Sequence, residues 1–218
     1  KLGIAIGAGL FGAGAADVAL LAVPALVTVG AVFTPEVGRW MVQASAYGDE
    51  HRLPLRSPAA VGFAAAAAWL VWAFCVLIGP MALVARNWIL GIVLTLAAIA
   101  GVVFIVPRWH KMSKRWFVLV PAGVVLHDPV VVADTLMVRT NQLARISLAA
   151  ADTEAADLTG PASGYAVQVD TTETVTTVFA FTPSEPNGKA INMTGFLLAP
   201  SRPGEALALA KARGLPVR

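Results

Sequence analysis

Apolar residues fill the first half of the chain in runs much longer than the core of a soluble protein needs. One run covers residues 2–33 with Asp17 as its single charge, and two uncharged runs cover 59–85 and 88–106. About 20 apolar residues let a helix cross the roughly 30 Å hydrocarbon core of a bilayer. The pattern therefore predicts about three transmembrane helices. They are expected at about residues 12–33, 60–85 and 88–106, within a transmembrane domain over residues 1–107.

Asp17 leaves two interpretations of the first helix open. A helix over the whole first run would be about 47 Å long at 1.5 Å per residue, so it either tilts and protrudes or starts near Ala15. Deep in the bilayer, Asp17 would indicate a proton relay or an ion pair with another subunit. In a first helical turn it is simply favoured by the helix dipole. We favour the second interpretation, and we expect a kink at Pro24.

A glycine motif near the N-terminus matches a dinucleotide-binding fingerprint. Residues 7–12 read Gly-Ala-Gly-Leu-Phe-Gly, and Glu36 follows some two dozen residues later. A dinucleotide fold needs an amphipathic helix after the glycines, whereas residues 18–33 are apolar all round. We therefore interpret the motif as a small-residue face that lets a neighbouring helix approach closely. The expected helix-packing glycines are Gly3, Gly7, Gly9 and Gly12.

The segment 36–57 is polar and bounded by prolines, which predicts a loop. Residues 39–42 read Arg-Trp-Met-Val, which suggests one turn of helix at headgroup level. His51 has no second metal ligand in range, so we expect an ordinary surface position. The chain begins at Lys1 without an initiator Met, so we expect a few residues upstream. We interpret its apolar start as retained in the mature protein because it has no clean signal-peptide cleavage site.

The second and third apolar runs form a predicted transmembrane hairpin, because only Arg86 and Asn87 separate them. Gly79 and Pro80 predict a bend in its first helix, since proline frees a backbone carbonyl that must then find another partner. The hairpin contains no His, so we expect no haem ligation within it.

A basic collar, residues 108–115, follows the apolar half. Trp prefers the headgroup zone, and Lys and Arg are retained on the cytoplasmic side of a membrane. The collar has five Arg, Lys or His residues and segment 36–57 has three Arg, against one Arg in the turn 86–87. We therefore expect a multi-pass protein of the plasma (inner) membrane with its N-terminus outside and its C-terminal domain in the cytoplasm. The expected membrane-interface anchors are Arg108, Trp109, Lys111, Lys114, Arg115 and Trp116.

The periodicity changes to that of strands after the collar. Residues 116–120 and 124–127 predict a β-hairpin, closed by Asp128 and Pro129. Gly214 ends a predicted C-terminal helix that opens at Arg202. About seven strands capped by one helix predict a small cytoplasmic β-barrel or sandwich over residues 116–218. The further strands are expected at 130–132, 135–138, 143–148, 165–170, 175–181 and 192–198.

Composition narrows the class of protein. Hydrophobic residues make up 57% of the chain and charged residues 13%, which is too apolar for an ordinary soluble protein. The net charge is only +3, and the cations cluster at the predicted membrane edges, which favours phospholipids over nucleic acid as partners. Cys75 is the single cysteine and lies in an apolar run, so we expect neither a disulfide nor a paired-thiol metal site.

Candidate chemistry is sparse. The H-E-x-x-H, G-x-S-x-G and Walker A patterns do not occur. His127 and Asp128 are adjacent on a predicted strand and would point to opposite faces, so an Asx turn before Pro129 is favoured over a catalytic pair. We therefore expect no enzyme activity, no cofactor, no metal and no small-molecule substrate.

Three stretches of the second half carry a resemblance. Residues 115–129 read Arg-Trp-Phe-Val-Leu-Val-Pro-Ala-Gly-Val-Val-Leu-His-Asp-Pro, residues 139–146 form a later strand, and residues 203–217 run from Pro-Gly-Glu-Ala-Leu to Arg-Gly-Leu-Pro-Val. Over residues 111–218 the chain resembles the bacterial pleckstrin-homology-like (PH-like) domain, particularly its membrane-tethered actinobacterial versions. The resemblance implies a PH-like β domain with a C-terminal helix and without a catalytic motif.

Some actinobacterial proteins of this build, a few spans plus a small soluble domain, are accessory subunits of the cytochrome bcc-aa3 respiratory supercomplex. The resemblance therefore implies a non-catalytic subunit whose partners are other integral membrane subunits. An alternative is a stand-alone membrane-tethered module that binds a protein, a peptide or a lipid.

Overall fold

The computed structural model describes residues 12, 14–32, 34–180 and 188–218. The chain divides into two compact units, Lys1–Ala44 and Ser45–Arg218. Gly3, Gly7 and Gly9, for which helix packing was predicted, lie outside the described residues.

The described residues of the first unit form two helices, α1 (Ala15–Val32) and α2 (Pro35–Ala44). Gly12 precedes α1 with a left-handed backbone, φ +84°, so it lies before the helix rather than on its face. Helix α1 starts where the Asp17 and Val18 amides donate to the Gly14 carbonyl, at 3.0 and 3.1 Å. Asp17 thus occupies the first turn, where the helix dipole favours a carboxylate.

The second unit begins with a short strand and continues into a helical hairpin. Strand β1 is His51–Pro54, and the hairpin consists of α3 (Ala59–Val84), α4 (Trp88–Phe104) and α5 (Val106–Ser113). Pro107, in the first turn of α5, lacks an amide donor and crowds the preceding turn, which explains the break at Ile105.

Among the residues that the structure describes, three helices are long and apolar enough to cross a membrane. They are Ala15–Val32, Ala59–Val84 and the combined Trp88–Ser113. Trp88 and Trp109 lie 21 residues apart near the two ends of the last helix. At 1.5 Å per residue this spacing is about 31 Å, close to the hydrocarbon thickness between the two aromatic belts of a bilayer. The described residues thus contain three helices that are long and apolar enough to span a membrane, in the regions where the sequence predicted transmembrane helices.

Helices α3 and α4 pack through small residues. A Cβ on Gly79 would lie 2.9 Å from the Thr95 amide nitrogen, and one on Gly91 would lie 2.7 Å from that of Leu83. These glycines let the two backbones approach closely, as small residues do between membrane helices. Cys75 and Ala82 of α3 and Ala98 and Gly101 of α4 are also buried. Close helix packing within the second unit therefore involves Gly79 and Gly91, for which the sequence analysis did not predict helix packing.

Over its described residues, the β domain contains two four-stranded sheets, and neither closes into a barrel. The first sheet has the order β1-β2-β3-β4, with β2 Trp116–Val120, β3 Gly123–His127 and β4 Leu136–Arg139. A 3₁₀ turn, Thr140–Gln142, leads into the second sheet, whose order is β5-β7-β8-β6. Its strands are β5 Leu143–Leu148, β6 Ala156–Asp157, β7 Val167–Val178 and β8 Ala190–Leu198.

One apolar core lies between the two sheets and the C-terminal helix α6 (Pro203–Ala212). Phe117 of the first sheet and Phe196 of the second are both 1% exposed. Helix α6 buries Ala206 and Ala210 in the same core and ends before Gly214, whose φ of +73° favours glycine. The domain is therefore a pair of sheets with a C-terminal helix packed on their shared core.

The loop predicted over residues 36–57 is wrong in two places. Helix α2 extends to Ala44, and β1 is a full member of the first sheet, paired with β2. Two further strand predictions also differ. Residues 165–170 and 175–181 were expected to form separate strands, but the single strand β7, Val167–Val178, includes parts of both ranges, with a register shift between Asp170 and Val175. Residue 181 lies outside the described residues. Within 130–132 only Val132 pairs, as an isolated bridge with Phe179.

Candidate membrane interface at the base of the hairpin

The helical hairpin is inserted between two neighbouring strands of the first sheet. Strand β1 ends where β2 begins, because Pro54 pairs with Trp116 and the Leu55 amide donates to the Arg115 carbonyl at 3.0 Å. The chain leaves the sheet after β1, runs through α3, α4 and α5, and returns directly beside its point of departure. Both ends of the hairpin are therefore fixed by the same strand pair.

Arg115 forms the central contact of this junction. Its guanidinium donates to both Asp128 carboxylate oxygens, Nε to Oδ1 at 2.8 Å and Nη2 to Oδ2 at 2.7 Å. Further bonds reach the carbonyls of Arg56 at 2.8 Å and Thr159 at 3.4 Å. The side chains of Arg115 and Asp128 are 2% and 0% exposed. The prediction that Arg115 anchors the chain to headgroups is therefore wrong, because its charge is buried and fully partnered within the protein.

Asp128 combines two roles at the end of the β2–β3 hairpin. Its Oδ1 also accepts from the Val130 amide at 3.1 Å, which is the Asx turn that the sequence predicted. Its pairing with Arg115 was not predicted. The predicted β-hairpin could have indicated this pairing. Trp116 lies opposite His127 in the hairpin register, so the next pair outward is Arg115 with Asp128.

Trp116 belongs to the β domain rather than to the membrane edge. The Arg52 guanidinium lies over its indole, with Cζ 4.5 Å from the ring centroid. The centroid of the His127 ring lies 5.5 Å from that of the indole. The indole nitrogen donates to the Ser113 carbonyl at 3.1 Å. This half-buried ring thus joins β1, β2, β3 and the end of α5, so the headgroup role predicted for Trp116 does not describe its contacts.

His127 sits in a positively charged setting. Burial lowers the pKa of its imidazole, the nearby Lys114 and Arg52 cations lower it further, and the Asp128 carboxylate partly opposes them. The ring Nδ1 lies 2.9 Å from the Thr135 hydroxyl. The arrangement therefore favours a neutral imidazole that takes part in packing and hydrogen bonding.

Trp109 faces the helical hairpin. Its ring meets Trp72 of α3 edge-to-face, with centroids 5.6 Å apart and planes at 70°. The Trp72 indole nitrogen in turn donates to the Ala98 carbonyl of α4 at 2.9 Å. The contact holds α5 against α3, since such aromatic pairs add about 0.5–1.5 kcal/mol to the burial of their surface.

A crevice of about 410 Å³ opens beside Trp109, between the first turns of α3, helix α5 and the corner that follows β3. Its walls are apolar, and two exposed cations, Arg108 and Lys111, also line it. The Arg108 guanidinium donates one hydrogen bond to the Phe104 carbonyl. The remaining lining residues are Val61, Ala64, Ala65, Ala68, Ile105, Met112, Pro129 and Val130.

A second, polar groove of about 610 Å³ lies on the second sheet, against the loop before β6. Asp170 is its best-connected group, since it accepts from Arg145 at 2.8 Å and from the Gln168 amide at 2.6 Å. Thr153 and Thr194 add hydroxyls to the same groove. Among the residues that the structure describes, no group of three His, Cys, Asp or Glu side chains could hold a metal ion.

Comparisons with protein-family models, with curated proteins and with solved structures returned no significant match for this chain.

Proposed function

We propose that this chain is a non-catalytic accessory subunit of a multi-subunit membrane complex. Its apolar helices would pack against other integral subunits, and its β domain would dock on their cytoplasmic face. The resemblance of residues 111–218 to membrane-tethered PH-like domains favours the cytochrome bcc-aa3 respiratory supercomplex as that assembly.

The junction between hairpin and β domain is the observation that carries the proposal. A tethered domain that binds soluble ligands is typically joined to its membrane helices by a flexible linker. Here, in contrast, the pairing of β1 with β2 holds both ends of the hairpin against the β domain. The buried Arg115–Asp128 pair strengthens this attachment. A β domain held in one position relative to its own membrane helices suits a subunit with a defined place in an assembly.

Cross-linking mass spectrometry on native membranes tests the proposal, followed by extraction in a mild detergent. We expect the chain to co-purify with larger integral subunits and to cross-link to them through lysines of the β domain. The candidate lysines are Lys189 and Lys211 of the β domain, together with Lys114 at the end of the collar. A chain that runs alone as a monomer and gives only internal cross-links would contradict the subunit role.

The polar groove on the second sheet supports the alternative of a tethered binding module. Its carboxylate, amide and hydroxyl groups suit a polar peptide, and Gly195 keeps it open, because a Cβ there would lie 2.8 Å from Asp170 Oδ1. Peptide binding by the full chain that is weakened at least fivefold by Gly195→Val, in a chain that purifies without partners, would favour this alternative.

A further inference from the structure

We infer that the crevice at the base of the hairpin is a binding site for one anionic phospholipid. The lipid phosphate would meet Arg108 and Lys111, and an acyl chain would lie along the apolar wall formed by α3 and Trp109. This inference goes beyond the proposed subunit role and holds with or without a protein partner.

The charge of the crevice selects an anion. Within the part of the chain that the structure describes, neither Arg108 nor Lys111 forms a salt bridge, and no described lining residue carries a carboxylate. Arg108 uses one donor on the Phe104 carbonyl, and a guanidinium has five. Both side chains therefore keep donors for phosphate oxygens, and basic pockets beside membrane helices are suited to acidic headgroups.

The shape and lining of the crevice select a lipid over a soluble anion. Small residues at Ala64 and Ala68 of α3 leave a groove, and the Trp72 contact fixes Trp109 as its opposite wall. The volume falls in the range of roughly 300–1,000 Å³ that is typical of ligand pockets. A soluble phosphate would gain nothing from this apolar surface, whereas an acyl chain gains binding free energy with each CH₂ group that it buries there.

The β domain supplies the floor of the site through Pro129 and Val130. The Asp128 Asx turn and the Arg115 ion pair hold this corner in place. A bound lipid would therefore contact the transmembrane hairpin and the β domain at once, and it would stabilise their junction.

Native mass spectrometry of the full chain in detergent tests the inference. The probes are phosphatidylglycerol and phosphatidylcholine with identical acyl chains. We expect at least a fivefold preference for phosphatidylglycerol in the unaltered protein, and loss of the preference in Arg108→Gln/Lys111→Gln. The matched control is Arg86→Gln, which removes a cation from the opposite end of the hairpin and should keep the preference. The charge-preserving variant Arg108→Lys/Lys111→Arg should also retain the preference for phosphatidylglycerol. This control distinguishes an effect of lost charge from an effect of misfolding.

A second arm tests the acyl chain. Ala68→Phe fills the groove and should lower phosphatidylglycerol occupancy at least threefold, while soluble glycerol phosphate in excess should not displace the lipid. Equal binding of the two lipids to the unaltered protein would overturn the inference, as would equal loss of the preference in Arg86→Gln. Competition by glycerol phosphate would assign the site to a soluble anion instead. None of these outcomes depends on whether the chain co-purifies with other subunits.

Discussion

At the scale of single residues, the Arg115–Asp128 pair determines how the hairpin joins the β domain. Removing one partner of a buried pair leaves the other charge uncompensated, which costs about 3–5 kcal/mol. Arg115→Met should therefore lower the free energy of unfolding of the full chain by about that amount. Chemical unfolding in detergent, followed by tryptophan fluorescence, measures the loss.

A half-exposed pair on the second sheet provides the control for this experiment. Arg145 and Asp170 meet at 2.8 Å, but their side chains are 47% and 22% exposed. Arg145→Met should cost only about 0–1 kcal/mol. The double variant Arg115→Met/Asp128→Leu should recover much of the stability, because it buries no lone charge. Equal losses in the two arginine variants would show that burial of the Arg115 pair is unimportant.

His127 gives the fold a dependence on pH. Burial and the nearby cations lower the pKa of the folded imidazole from its ordinary value of 6.5, so the folded state binds this proton more weakly than the unfolded chain. The His127 contribution to stability is therefore fully present above pH 6.5 and is lost as pH falls from there to the lowered folded pKa. Between those limits, His127→Gln should flatten the slope of melting temperature against pH.

An NMR titration of His127 in the folded chain should have its midpoint below 6.5. A midpoint above that value, or a slope that His127→Gln leaves intact, would contradict the expected pKa direction.

Sequence alone predicted the corner at Asp128 but not its partner, and the reason is the range of each interaction. The Asx turn is local and depends on the Asp-Pro pattern. The ion pair needs the register of β2 against β3, which also places Arg115 inside the domain. From composition alone, Arg115 and Trp116 were predicted to be membrane-interface anchors like the exposed cations beside them. A run of basic residues does not indicate which side chains are buried in the domain.

At the scale of elements, the α3–α4 hairpin depends on close approach at two glycines. A methyl group at Gly79 or Gly91 would meet backbone atoms of the facing helix at 2.9 or 2.7 Å, a contact that side-chain movement cannot relieve. Gly79→Ala and Gly91→Ala should each destabilise the hairpin by about 1–3 kcal/mol. Unfolding in mixed detergent micelles, followed by helical circular dichroism, measures the effect.

Gly62 on α3 is the matched control, since its nearest neighbour to an added Cβ is Ser57 at 3.9 Å. Gly62→Ala should be neutral or stabilising by up to about 1 kcal/mol, because alanine favours helix over glycine. If all three alanine variants behave alike, helix propensity rather than close packing governs this hairpin.

The longer the hydrophobic pattern of a helix or strand, the better the sequence predicted that element. The uncharged runs gave the hairpin helices, and the strands at 116–120 and 143–148 match the structure. Strand β1 was missed because His51–Pro54 has four residues, two of them polar, beside prolines. This segment is a strand because it pairs with β2, which lies more than sixty residues away in the chain. Local periodicity cannot predict so distant a partner.

At the scale of the whole molecule, the insertion fixes which parts share one side of a membrane. Strands β1 and β2 pair directly, so an α3–α4–α5 hairpin that crosses the membrane has both of its ends on one side and Arg86 on the other. Single cysteines at Ser57 and Lys114, in a chain with Cys75→Ala, should react with the same impermeant reagent in sealed vesicles. A cysteine at Arg86 should react only from the opposite side.

The same insertion predicts what is needed for the β domain to fold without its helices. A fragment of residues 116–218 lacks Leu53 and Leu55 of the core and leaves the β2 edge unpaired. Replacing residues 58–113 by a short Gly-Ser linker would restore β1, because the Leu55 amide and the Arg115 carbonyl already lie 3.0 Å apart. The spliced chain, residues 45–57 joined to 114–218, should therefore fold as a soluble domain with a cooperative melting transition.

The 116–218 fragment should instead aggregate or melt without a transition, since exposed strand edges and missing core residues favour association. Circular dichroism melting and amide chemical-shift dispersion distinguish the two chains. Leu53→Asp in the spliced chain is the sharpest control, because it keeps the length and the linker but places a charge at a core position that is 4% exposed. Cooperative folding of the short fragment, or of the Leu53→Asp chain, would show that β1 is dispensable and that the hairpin is merely attached to the domain.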